Sequence, residues 1–67
     1  MLTVRNFASN LKRARKNAGK TQEELGEKSG LKGSWIGHFE GGTRLPSLRN
    51  FCAICHALNI QPEELLQ

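Results

Sequence analysis

The most recognisable chemical spacing in the chain is Cys52-Ala53-Ile54-Cys55-His56. C-x-x-C-H is the attachment spacing of c-type haem, and C-x-x-C alone suits a redox pair or half of a zinc site. The rest of the sequence does not complete any of these. A structural zinc site needs four ligands, and only His38 and His56 are left to join the two thiols. A haem would have Met1 as its sole methionine ligand. Both cysteines are therefore expected in the core, as small hydrophobes, with no metal and no cofactor. Ser34 has no base and orienting partner to make it a nucleophile, and Glu63 and Glu64 suit the positive end of a terminal helix. No catalytic residues are expected, and no enzyme.

The remaining chemistry is cationic and hydrogen-bonding. The 67 residues hold 10 Lys and Arg against 6 Asp and Glu, a net charge of +4. Arg5, Lys12, Arg13, Arg15, Lys16 and Lys20 all precede the first acid, Glu23. Such clustering is the footprint of a protein that meets a polyanion, although a solvated helix face has the same appearance. The opening Met1-Leu2-Thr3-Val4-Arg5 runs straight into polar residues, and no apolar run nears the roughly 18 residues of a membrane span. A cytoplasmic protein with no membrane partner is expected, as one domain over residues 1–67.

Five helical segments can be read, and none of the chain alternates as a strand does. Phe7, Leu11, Ala14 and Ala18 recur at helical intervals before Gly19. Thr21-Gln22-Glu23-Glu24 is a capping box that opens a second helix, which ends at Gly30. Ser34 to Glu40 forms a third, stopped by Gly41-Gly42. Ser47 caps a fourth, whose buried stripe reads Leu48, Phe51, Cys55 and Leu58 with Ile54 beside it, and Asn59 follows it. Pro62 suits the first turn of a brief last helix through Leu66. The fold class is all-α.

The stretch from about 22 to 40 meets the demands of two short helices crossing at a tight turn. Gly26 leaves room where the second helix crosses the first, and Gly30 tolerates positive φ in the turn. Leu25, Leu31, Ile36 and Phe39 lock the pair together. On these residues, and on Glu40-Gly41-Gly42-Thr43-Arg44-Leu45-Pro46-Ser47, the chain resembles the helix-turn-helix family of lambda repressor and Cro. The resemblance runs over about residues 7–66.

That resemblance implies a compact five-helix domain whose third helix enters the major groove of double-stranded DNA, in a transcriptional regulator. It implies base reading by Gln22, Lys32, Ser34 and His38, and backbone contacts by Lys20, Thr21 and Arg44. It also implies that Arg15 spends its charge on Glu40 rather than on phosphate. Gly33 and Gly37 depart from the family pattern, which thins direct readout unless the bare backbone comes close to the duplex or DNA shape is read. Trp35 is expected to pack between helices. A homodimer on a pseudo-palindromic operator is expected, with Leu45, Ile60, Leu65 and Leu66 as its interface. A protein-interaction module such as an antitoxin is the alternative on the same fold, and RNA binding a weaker one, since no stacking platform of aromatics is present.

Overall fold

The computed structural model describes residues 2–67 and contains α1 (Phe7–Asn17), α2 (Gln22–Ser29), α3 (Gly33–Glu40) and α4 (Leu48–Leu58), followed by a 3₁₀ turn at Pro62–Glu64. Punctuation residues account for most of these boundaries. The Thr21 hydroxyl accepts from the Glu24 amide at 3.0 Å, and the Glu24 carboxylate accepts from the Thr21 amide at 2.8 Å. These two bonds hold the Glu24 carboxyl below the usual carboxylate range, the backbone bond to Thr21 most of all. At the other end of α2, Gly30 turns left-handed (φ 75°) and lets the Leu31 amide reach the Gly26 carbonyl at 2.7 Å. Ser47 caps α4 through the Asn50 amide at 3.2 Å, and Asn59 ends it in the same left-handed conformation (φ 55°).

The core gathers one stripe from each helix: Phe7 and Leu11 from α1, Leu25 from α2, Ile36 and Phe39 from α3, and Ile54, Cys55 and Leu58 from α4. Leu65 closes it from below and is fully buried. The chain ends are tied beside it. The Asn10 amide group donates to the Leu65 carbonyl at 3.3 Å, and the Thr3 amide donates to the Leu66 carbonyl at 2.7 Å.

Five expectations are corrected. The fifth helix is a three-residue 3₁₀ turn. Only a few residues separate the Asn59 turn from Leu65, which must point inward, and the tighter i→i+3 geometry achieves that in less length. Leu65 is consequently core and unavailable to a dimer face. Leu48, read as buried, is 78% exposed, because it occupies the first position of α4 before that helix reaches the core. Cys52 is exposed while Cys55 is buried, since Ile54, Cys55 and Leu58 are the α4 positions that face inward. Trp35 is 42% exposed: its neighbours Ile36 and Phe39 take the inward face of α3 and leave the indole on its flank. No described helix is long and apolar enough to cross a membrane.

Candidate nucleic-acid interface

Two glycines set how α2 and α3 meet. A Cβ on Gly26 would lie 2.7 Å from the Leu31 carbonyl oxygen and 2.9 Å from the Gly33 nitrogen, so the turn backbone lies directly on α2. A Cβ on Gly33 would lie 2.9 Å from the Cα of Glu23. The space left by the missing side chain at Gly33 is thus occupied by the start of α2, an internal use that the sequence reading did not consider.

A network then links three elements. The Arg15 guanidinium on α1 donates to Glu40 at the end of α3 through Nε at 2.6 Å and Nη2 at 3.0 Å. Its Nη1 donates to the Lys20 carbonyl at 2.7 Å. Both side chains are largely buried, and donating to the Glu40 carboxylate raises the Arg15 pKa above its already high value. A fork of this kind matches a carboxylate in a way lysine cannot. The Gln22 amide nitrogen on α2 donates to the same carboxylate at 3.3 Å. Gln22 lies across Gly37, whose absent Cβ would be 3.3 Å from its Oε1. The seat at Gly37 and the Gln22–Glu40 bond have no local signal in the sequence, because both depend on the helix crossing.

Lys32 just before α3, Ser34 and His38 on it, Thr21 and Gln22 at the start of α2, and Arg44 in the loop after α3 are all exposed, and Lys20 is half-buried. The His38 ring contacts the Thr43 hydroxyl through Nδ1 at 3.1 Å and lies 5.7 Å, centre to centre, from the Trp35 ring. Thr43 stands in the stretch that carries the family resemblance but had no role of its own there, and only the loop's return over the end of α3 brings it to His38. In the core, burial pushes the Cys55 thiol pKa up, which keeps it protonated and unreactive.

A family model described as "Helix-turn-helix domain" matches residues 6–67. Among solved structures, the restriction-modification controller protein C.AhdI from Aeromonas hydrophila is 39% identical, with a TM-score of 0.87 over 91% of this chain and 92% of that one. The P22 c2 repressor, solved in complex with a synthetic operator, is 26% identical, with a TM-score of 0.85 over 91% and 92%. The clp gene regulator ClgR from C. glutamicum is 25% identical, with a TM-score of 0.82 over 90% and 78%. No curated protein sequence matches the chain significantly. With α2 and α3 crossing on glycine, an Arg15–Glu40 pair tying α1 to α3, and a family match over nearly its whole length, the chain belongs to the helix-turn-helix family of lambda repressor and Cro.

Proposed function

We propose that this protein is a sequence-specific, double-stranded-DNA-binding transcriptional regulator that acts as a homodimer, with α3 in the major groove. The observation that carries the reading is the likeness, over 91% of the chain, to a repressor solved on its operator. The exposed polar side chains on α3 and at its N-cap supply readers for it: Lys32 donates to guanine O6 or N7, and Ser34 and His38 serve as further contacts. Gln22 retains a free carbonyl and a second amide hydrogen after its bond to Glu40 and can meet an adenine edge or a phosphate. Lys20, Thr21 and Arg44 hold the DNA backbone, which fixes orientation without reading sequence.

One copy reads only a few base pairs, so useful selectivity asks for two half-sites about one turn, roughly 34–36 Å, apart. Val4, Leu45 and Leu48 are each more than half exposed around an apolar groove floored by Phe7, Phe51 and Leu66. We assign the dimer face to this groove: Leu45 and Leu66 remain from the sequence expectation, Leu65 and the half-buried Ile60, which packs against the core away from the groove, leave it, and Val4 and Leu48 join. A second copy can bury such a face isologously, each groove against its own equivalent.

Binding-site selection on random DNA tests the function. The expected product is a pseudo-palindrome, bound far more tightly than either half alone. Enrichment of no sequence would instead favour a protein-interaction role. Removing Lys20 or Arg44 should weaken all sequences alike and lower the salt slope by about one per lost contact. Removing Lys32 or Ser34 should change the preferred base, by about 1–3 kcal/mol where a good contact exists.

A further inference from the structure

We infer that Thr43 sets the hydrogen-bonding polarity of His38, so that His38 reads an exocyclic amino group, on cytosine N4 or adenine N6, through an Nε2 lone pair. The inference rests on the proposed reading that α3 lies in the major groove, and it goes beyond it by naming what His38 recognises.

The His38 carbonyl belongs to the last turn of α3, where helix carbonyls lack ordinary partners. It accepts from the Thr43 amide at 3.1 Å and from the Thr43 hydroxyl at 3.2 Å. A carbonyl oxygen only accepts, so the single hydroxyl hydrogen of Thr43 points at it. The same hydroxyl oxygen sits 3.1 Å from His38 Nδ1 and must accept there. Nδ1 therefore carries the hydrogen, and in the neutral ring Nε2 is left as a bare acceptor. The reverse tautomer would take the hydroxyl hydrogen for Nδ1 and lose the bond to the carbonyl. The Trp35 ring lies 5.7 Å from the imidazole, centre to centre, and is tilted by 60° to it.

A fixed acceptor discriminates among bases. Cytosine offers N4–H and adenine N6–H in the major groove, whereas the guanine N7 and O6 and the thymine O4 are acceptors with no hydrogen to give. Thr43 is a positioning residue here, since it acts through His38.

Two measurements test this. In the free protein, long-range proton–nitrogen NMR of the neutral His38 ring should find the hydrogen on Nδ1. It should move to Nε2, which a free imidazole favours, in Thr43→Val, and stay on Nδ1 in Thr43→Ser. In binding-site selection, His38→Ala should lose preference at one position per half-site, at which wild type prefers cytosine or adenine by about tenfold. Thr43→Val should lose the same preference, and Thr43→Ser should keep it. An Nε2–H ring in the wild type, guanine or thymine at the His38-dependent position, or an unchanged site for Thr43→Val would each overturn the inference. If wild type selects no sequence while His38 is Nδ1–H, the regulator reading fails and the reading role of His38 falls with it. An unchanged Thr43→Val site with normal wild-type selection leaves the regulator reading standing and removes only this one.

Discussion

Gly33 and Glu23 meet with almost no space between them: a Cβ on Gly33 would lie 2.9 Å from the Glu23 Cα and 3.1 Å from its nitrogen. Those are backbone atoms at the start of α2, which cannot swing aside. Gly33→Ala should therefore destabilise the protein by about 1–3 kcal/mol, even though alanine is the better helix former. Gly37→Ala meets only the far end of the Gln22 side chain, at 3.3 Å. There the helix propensity gain of up to about 1 kcal/mol should prevail. Urea unfolding of both variants should give opposite signs, and DNA affinity should fall in Gly37→Ala because Gln22 must move.

The Arg15–Glu40 pair is suited to a double-mutant cycle. Arg15→Met strands a carboxylate whose side chain is only 4% exposed, and Glu40→Met strands a guanidinium 10% exposed. Each single change should cost about 3–5 kcal/mol, and the double mutant should recover much of that loss. Additive unfolding free energies, with Arg15→Met weakening only DNA binding, would reassign Arg15 to phosphate.

The α2 cap makes a prediction in pH. Glu24 has its folded pKa depressed, chiefly by the Thr21 backbone bond. Its contribution is present above the ordinary carboxylate pKa and is lost as pH falls through the folded value. Stability should drop on acidification in the wild type, and less steeply in Glu24→Gln. Thr21→Ala should cost about 1 kcal/mol at neutral pH. Chemical unfolding at a series of pH values checks all three.

Exposure at Leu48 separates the dimer face from the fold. Leu48 is 78% exposed, so Leu48→Asp should leave the monomer's unfolding nearly unchanged. Sedimentation velocity should show dimer converted to monomer, with tight binding to the full site lost. A dimer that survives Leu48→Asp would place the interface elsewhere.

The cysteines should behave unequally. Cys52→Ala should be close to neutral, because Cys52 is exposed, whereas Cys55→Ala opens space in the core and should lower stability by about 1–2 kcal/mol. Thiol-modifying reagents should label Cys52 in the native protein and Cys55 only after unfolding. Stoichiometric zinc in purified protein, lost in Cys52→Ala, would overturn this account of the motif.

Features under short-range control were legible in the chain before it folded. Thr21 with Glu24, Gly30, Ser47 and Asn59 terminate helices through bonds spanning only a few residues. The apolar spacing of Leu25, Ile36, Phe39, Ile54 and Leu58 marks their buried faces for the same reason. The tertiary structure decided the rest. Leu48 and Trp35 are apolar and helical yet exposed, because burial depends on which neighbours arrive, and none covers them. Leu65 is core only because the last turn folds under α1 and α4. Gln22 rests on Glu40, and Thr43 turns back to His38. Hydrogen bonds are directional to within a fraction of an ångström, and no local pattern specifies a separation that the helix crossing angle and the path of a loop together create.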